Sequence, residues 1–277
     1  MPRPTMTAAE AARRVIECVG VPTRPTTVDT FLAGDPETMV TGVVVTVMAT
    51  VDVCRAAVAA GANLIITHEP LFYDHANAAV DDLEAENDPI YLAKKKYIEQ
   101  HGLVVWHLHD HWHDVRPDGI DLGVIDALGW VAPDDLTYPA VLTIEPMRLG
   151  ELAAHAADRL GAGAARFIGD PGMRVTVVAL ALGFRGTETL RGLFQRDDID
   201  AVLIGEAHEW ELSGYIADAA ALAAPVGVVV LGHLPSEQAG MSYATGLIEA
   251  ALAPTPVEFI AVPDIYRPVS APVTSWP

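Results

Sequence analysis

Short apolar segments rich in β-branched residues alternate along the chain with segments whose apolar positions recur at helical spacing. Residues 42–50 (GVVVTVMAT) and 63–67 (NLIIT) are almost continuously apolar, which is typical of strands buried on both faces of a sheet. The helical segments 50–61 and 88–102 follow these strands, and each ends at a glycine. This alternation predicts mostly parallel strands covered by helices.

The same pattern continues on both sides of a break in the chain. A helix with a capping box is predicted at 7–19, a third buried strand at 103–109 and a helix at 119–130. After the break at 131–140, a second series of strands and helices begins. We therefore predict an α/β fold with two lobes, whose sheets are mainly parallel or mixed.

The C-terminal part repeats the alternation once more. It contains a predicted strand at 227–233, a helix at 236–253 and a last strand at 257–263, and the Pro-rich tail 265–277 is predicted to be an extended arm. The Gly-rich segment GAGAAR (161–166) follows a predicted helix rather than a strand. We therefore do not interpret it as a phosphate-binding loop.

Composition and charge narrow the range of partners. The chain has 277 residues and a formal charge of −20, so non-specific binding to a phosphate backbone is not expected. Its two cysteines, Cys18 and Cys54, form no disulfide framework. Neither a signal peptide nor an apolar run of bilayer length is recognisable. These features predict a soluble cytoplasmic protein with no membrane partner.

Histidine is concentrated immediately after the third predicted strand. The segment 106–114 (WHLHDHWHD) contains four histidines and two aspartates: His107, His109, His111, His113, Asp110 and Asp114. If the strand continues, alternate spacing places all four histidines on one face. If the chain turns helical, His109 and His113 share a face. A solvated polar loop is the alternative to a metal or catalytic role, and the neighbouring buried strand makes it less attractive.

Two other predicted strands also end in histidine and a carboxylate. His68 and Glu69 follow the strand at 63–67, and His233 ends the strand at 227–233 with Glu237 four residues later. Each pair alone is also explained by a polar strand end or a helix start. Because the carboxyl ends of parallel strands meet at one edge, the three segments together predict a common site.

The chemistry of this predicted site is that of transition metals. Imidazole and carboxylate ligands suit Zn, Mn, Fe or Co, and more than four ligands favour two divalent ions. Paired ions usually activate water for hydrolysis. A fourth strand end carries Glu206, His208 and Glu209, which fit a flank of the site and a helix start equally well.

These motifs resemble, in order and over nearly the whole chain, those of the NGG1-interacting factor three-like family of dinuclear-metal proteins. Some members are labelled a second type of GTP cyclohydrolase I. NLIITHEPLFY is similar to the LI-x-HHP segment, and GLVVWHLHDHWHDVRPDGID to the HTNLD and GGVN segments. FIGDPGMRVTVVALALG and AVLIGE are similar to the middle strands and the TGE motif, and GHLPSE to GH-x-x-SE.

The resemblance implies a division of the chain and an assembly. A metal-site lobe would comprise residues 1–130 and 227–277, so that the C-terminal segment completes it, and a second lobe would comprise 131–226. The assembly would be a homohexamer of stacked trimers around a cavity, with the metal pair facing inward.

The resemblance also assigns ligands. His68 matches the first metal histidine, and His233 and Glu237 match the C-terminal pair. Glu69 replaces the second histidine of HHP, and an ungapped HTNLD alignment places His109 on its histidine and His113 on its aspartate. A bridging carboxylate would then come from Glu237, Glu69 or Asp110. The predicted metal ligands are therefore His68, His109, Asp110, His113, His233 and Glu237.

The function predicted from this site is a metal-dependent hydrolase of an unidentified small molecule, with Glu69 or a spare histidine as general base. The alternative is a non-catalytic metal-binding assembly or interaction protein. GTP cyclohydrolase activity is a weaker alternative, because no phosphate loop rich in Lys or Arg is visible. We expect His109 and His113 to contribute more to the site than His107 and His111. Metal occupancy is expected to fall below about pH 6, near the pKa of free imidazole.

Overall fold

The structure is a computed structural model that describes residues 6–76, 78–222 and 226–268. Within these residues the strands are β1 (Phe31–Ala33), β2 (Val43–Thr46), β3 (Leu64–Thr67), β4 (Val104–His107), β5 (Ala140–Arg148), β6 (Arg166–Ile168), β7 (Arg174–Phe184), β8 (Ala201–Glu206), β9 (Gly227–Val230) and β10 (Val257–Phe259). The helices are α1 (Ala8–Val19), α2 (Val51–Ala59), α3 (Ala79–Ala85), α4 (Pro89–Gln100), α5 (Asp110–Asp114), α6 (Gly119–Ala127), α7 (Leu149–Leu160), α8 (Thr187–Phe194), α9 (Glu209–Ala221) and α10 (His233–Leu252).

The chain divides into two compact units, each with a five-stranded mixed sheet. The first unit comprises Met1–Gly123 and Gly240–Val262, and its strand order is β1-β4-β3-β2-β10. The second comprises Val124–Ala239 and Pro263–Pro277, with the order β5-β7-β8-β9-β6. The predicted α/β fold with mixed sheets is thus confirmed, as is the return of a C-terminal strand to the first sheet.

In the first sheet, the register aligns the ends of three parallel strands. Strands β2, β3 and β4 run parallel, and Thr46 lies beside Thr67, which lies beside His107. Every residue of these strands is buried, as their continuous apolar sequences predict. The residues that follow β3 and β4 therefore leave the sheet at the same edge, which is where the histidines lie.

The third predicted strand is shorter than expected, because β4 ends at His107 and the chain then turns into α5. The His113 N–H donates to the His109 carbonyl at 3.0 Å, which is the hydrogen bond of a helical turn. Of the two backbone conformations considered for this segment, the helical one is therefore correct.

Two elements of the first unit were not predicted from the sequence. Strand β1 pairs antiparallel with β4 at the sheet edge, with Phe31 opposite Trp106. It has only three residues, all partly exposed, so no periodic pattern marks it. Helix α3 has no buried residue and therefore lacks the apolar face on which the sequence prediction depends.

In the second unit, β7, β8 and β9 are parallel, and β5 and β6 pair antiparallel at the two edges. The sheet contributes to a core of twelve buried residues: Ala179, Ala181, Leu190, Leu193, Phe194, Ile199, Val202, Ile204, Leu212, Ile216, Val226 and Val228.

Some sequence predictions extend beyond the described residues. The tail predicted at 265–277 is described only to Pro268, and α9 of the second unit ends at Ala221, shortly before the undescribed residues 223–225. Within the described ranges, none of the helices combines the length and apolarity needed to cross a membrane.

Candidate metal centre

His68 is the first residue after β3, and it is completely buried. Its Nδ1 lies 3.1 Å from the carbonyl oxygen of Leu108. A carbonyl oxygen can only accept, so Nδ1 carries the hydrogen and the lone pair of the neutral ring lies on Nε2. Nε2 is therefore the atom of His68 that suits a metal ion.

His109 and His113 lie one helical turn apart at α5, and each has a carboxylate at Nδ1. His109 Nδ1 is 3.2 Å from Asp110 Oδ1, and His113 Nδ1 is 2.8 Å from Asp118 Oδ2. Metal-binding histidines characteristically donate one ring N–H to a carboxylate or carbonyl, which fixes the ring and leaves the other nitrogen for the ion. All three histidines of the group have this arrangement.

The three rings are close enough to share an ion. Ring centroids are separated by 4.6 Å between His68 and His109, 5.0 Å between His68 and His113, and 4.7 Å between His109 and His113. One ligand atom from each residue lies within 4.8 Å of those of the other two. Three imidazole nitrogens form a donor set suited to Zn and similar transition metals, so these residues fit the metal predicted from the sequence.

The surroundings of the group keep its imidazoles neutral. Burial, reinforced by the neighbouring rings of His109 and His113, lowers the pKa of His68 well below 6.5. Burial and the adjacent His113 lower the pKa of His109 to about 4. Since only a neutral imidazole can bind a metal, proton competition at these two ligands should begin at lower pH than for free imidazole.

Asp29 organises this segment and was not identified from the sequence. Its side chain is 1% exposed. Oδ1 accepts the backbone N–H groups of His109 and Asp110 at 2.8 and 2.7 Å, and Oδ2 accepts the N–H of His111 at 3.0 Å and lies 2.6 Å from its Nδ1. The carboxylate thus binds the donors that are left unpaired at the start of α5. Nothing local marks Asp29, because its partners are about 80 residues away.

The other two histidines of the segment have different partners. The ring nitrogens of His107 lie 2.9 Å from the Val28 carbonyl and 2.7 Å from the His68 carbonyl, so both face backbone oxygens. The Nδ1 of His111 faces Asp29, as above. That His109 and His113 dominate metal binding stays a prediction, and these contacts give its structural reason.

Glu69 and Asp110, the carboxylates predicted at this edge, differ in their surroundings. Glu69 is buried and lies close enough to His109 for its charge to counteract part of the fall in the pKa of that ring. Asp110 uses Oδ2 to accept from the Thr27 hydroxyl at 3.0 Å and the Val28 N–H at 3.2 Å, and Oδ1 faces His109. Both carboxylates thus lie near His109, and Asp110 is held by hydrogen bonds to its Oδ2.

In the second unit, His233 and Glu237 lie in the first turn of α10. His233 Nε2 is 3.2 Å from Glu237 Oε2, and His233 Nδ1 is 2.8 Å from Glu206 Oε1 at the end of β8. A metal ion between Nε2 and the Glu237 carboxylate would replace a proton there, while Glu206 orients the ring. Glu206, for which the sequence left two roles open, is therefore a partner of a predicted ligand.

Two small residues, Ser236 and Gly183, lie at the start of α10 and leave room for the Glu237 carboxylate. The Ser236 hydroxyl donates to the His233 carbonyl at 2.7 Å and accepts the Gly183 N–H at 3.0 Å. Gly183 has a φ of 62°, and a Cβ at this position would collide with the Glu237 carboxylate. Gly183 is thus required both by its backbone conformation and by the space that Glu237 occupies.

His208 and Glu209, the remaining residues of that strand end, have surface partners. His208 Nδ1 lies 3.4 Å from Glu211, and Glu209 forms an ion pair with Arg166 at 2.6 Å. Both residues belong to the start of α9. The structure thus brings His68, His109 and His113 together in the first unit, and His233, Glu237 and Glu206 together in the second.

Comparison with known proteins identifies a family. Residues 30–266 match the model of the family described as Duf34/NIF3 (NGG1p interacting factor 3). None of the curated proteins compared with the chain matches it.

Solved structures share the fold at low sequence identity. Protein SA1388 from Staphylococcus aureus is 18% identical, with a TM-score of 0.73 over 95% of this chain and 99% of that chain. A Bacillus cereus protein related to NIF3 is 13% identical, with a TM-score of 0.66 over 92% and 96%. A NIF3 superfamily protein from Sphaerobacter thermophilus is 14% identical, with a TM-score of 0.51 over 94% and 98%.

The role of Asp29 leads to a first prediction. Asp29→Ala removes the acceptor for three backbone N–H groups, so α5 should loosen and metal affinity should fall roughly 10–100-fold. Asp29→Asn retains one acceptor oxygen and should lose less. Metal titration of the variants below their melting temperatures measures this. Asp35→Ala, which removes an exposed turn carboxylate, is the matched control and should bind as the original protein does. Unchanged affinity in Asp29→Ala would contradict the proposed role of Asp29.

The depressed pKa values lead to a second prediction. Between the ordinary pKa of 6.5 and the folded value of about 4 for His109, the unfolded chain binds more protons than the folded chain. The free energy of unfolding of the metal-free protein should therefore fall as pH drops through this window, by at most roughly 3 kcal/mol from His109.

Urea unfolding at a series of pH values in a chelating buffer measures this dependence. His109→Gln has no titrating ring at this position, so its stability should fall less steeply between pH 6.5 and 4. Parallel pH profiles for the two proteins would show that His109 does not resist protonation in the folded state.

Proposed function

Because the chain belongs to the Duf34/NIF3 family, we propose that it is a metal-binding protein that acts as a metal-dependent hydrolase on a small-molecule substrate. The observation that carries the proposal is the group of His68, which is buried, and His109 and His113, which are half-buried; their ligand atoms lie within 4.8 Å of one another. A chance cluster of surface histidines would be solvated and differently oriented. Here each Nδ1 lies beside an oxygen of Leu108, Asp110 or Asp118, which orients the ring as in histidines that bind metal.

The proposal includes further ligands. His233 and Glu237, which are 3.2 Å apart, and Asp110 are proposed to bind metal as well, so that each chain holds about two divalent ions of Zn, Mn, Fe or Co. The homohexamer implied by the resemblance stays a prediction.

In the proposed hydrolysis, this chain supplies a base and a fixed set of donors. A bound divalent ion would polarise a substrate oxygen and make water more acidic. Glu69, buried near His109, is proposed to take the proton of the attacking water and pass it to the leaving group. His68, His109 and His113 would supply ring nitrogens to the ion, with their rings held in orientation by Leu108, Asp110 and Asp118.

A third prediction concerns metal content. Protein produced in metal-replete medium should contain about two transition ions per chain by elemental analysis. His233→Ala and Glu237→Ala should each contain fewer ions and keep the fold, because the two side chains lie at a strand end and a helix start. Glu249→Ala, an exposed position on the same helix, is the control.

Three outcomes of the metal analysis are informative. Protein without bound transition metal would refute the proposal, and a single ion would refute only its dinuclear form. If both variants lose their circular dichroism while the original protein holds its metal until it unfolds, the fold and the site are not separable as proposed.

A fourth prediction concerns Glu69. Glu69→Gln preserves shape but removes the base, so metal content should be retained while hydrolysis falls roughly 10²–10⁴-fold. The assay uses p-nitrophenyl phosphate, a p-nitrophenyl ester and a cyclic amide as probes, with the exposed Glu86→Gln as control. Equal rates for Glu69→Gln and the original protein would exclude Glu69 as the base. Metal-loaded protein that turns over none of the probes would favour the non-catalytic metal-binding alternative.

A further inference from the structure

We propose that the first unit contains a second metal position held by His75, His109 and Asp110, in which His75 is an additional ligand. The inference rests on the proposed metal-binding function and goes beyond it by locating a second ion and naming a ligand outside the predicted set. One ligand atom from each of the three residues lies within 4.8 Å of the other two.

The geometry of the three side chains favours a cation. The rings of His75 and His109 meet edge to face with centroids 4.6 Å apart and an interplanar angle of 74°. Asp110 Oδ1 lies 3.2 Å from His109 Nδ1. Two imidazoles and one carboxylate form the donor set of the facial triad that binds divalent iron and similar ions with open positions.

Asp110 has one oxygen to offer to this position. Its Oδ2 accepts from the Thr27 hydroxyl and the Val28 N–H and lies 3.4 Å from the Arg24 guanidinium. Its Oδ1 is directed towards His109. These contacts fix the carboxylate so that Oδ1 faces His109. The nearby Arg24 charge should make cation binding at this position weaker than at the group of His68, His109 and His113.

His109 belongs to both groups of candidate ligands, and each group would use a different nitrogen of its ring. Nδ1 faces Asp110, which leaves Nε2 for the group with His68 and His113. An ion at Nδ1 would displace the N–H proton to solvent, and with both positions filled His109 would hold one ion through each ring nitrogen.

His75 is exposed, but the loop that carries it is anchored. The Lys94 ammonium donates to the Leu71 carbonyl at 2.6 Å and lies 5.8 Å from the ring centroid of Phe72 and 5.4 Å from that of Tyr73. Lys94 is itself buried. The start of the loop is thus attached to α4, and the second position is the more solvent-accessible of the two, so its ion should exchange faster.

The inference is tested by titrating metal-free protein with Co²⁺, following both heat and the visible absorption of the bound ion. The original protein should show a tighter and a weaker class of sites. His75→Ala should lose at least about 10-fold in affinity at the weaker class and keep the tighter one. His113→Ala should show the reverse, and His109→Ala should lose affinity at both.

His101→Ala removes another exposed histidine of the first unit and is the matched control, expected to bind as the original protein does. Because His75 is exposed, its replacement should leave the melting temperature of the metal-free protein unchanged. If His75→Ala binds both classes unchanged, the second position is overturned while the proposed function stands. If the original protein binds no Co²⁺ at all, both fail.

Discussion

A buried carboxylate holds the turn on which the histidine group depends. The oxygens of Asp29 accept the N–H groups of His109, Asp110 and His111, which begin α5 and have no partner within the helix. Each of these donors would cost about 1–3 kcal/mol if it were buried without an acceptor. By accepting all three, Asp29 allows the chain to leave β4 as a helix, and this places His109 and His113 one turn apart on the same side.

Burial of Asp29 is possible only because its donors compensate for lost solvation. The ring of His111 contributes to this, since its Nδ1 lies 2.6 Å from Asp29 Oδ2. The four histidines of segment 106–114 therefore divide by the partner of each Nδ1. His107 faces a backbone carbonyl with each nitrogen and His111 supports the Asp29 carboxylate. The Nδ1 atoms of His109 and His113 lie instead beside Asp110 and Asp118. This division follows from tertiary partners, which the regular spacing of the residues does not reveal.

Features that are set by neighbouring residues could be predicted from the sequence, whereas features set by contacts between residues far apart in the sequence could not. Strands β2, β3 and β4 were recognisable because burial on both faces requires continuous apolar residues. The edge strand β1 was missed, since three partly exposed residues carry no pattern. The choice between strand and helix after His107 stayed open because Asp29, which favours the helix, is about 80 residues away. His75 was missed for a related reason: it stands alone in a loop, and only folding brings it beside His109.

Burial of the imidazoles has two opposing effects on metal binding, and the carboxylates beside the rings counteract the unfavourable one. Removing His68 and His109 from water lowers their pKa, which keeps protons off the nitrogens, but the same loss of solvation also disfavours the charge of a bound metal ion. An acceptor at Nδ1 opposes this, because a carboxylate that draws on the N–H raises the basicity of the other nitrogen. Asp118 acts in this way on His113, and Glu206 on His233. The site can therefore exclude protons by burial and still retain affinity for a cation, provided that each ring keeps its partner.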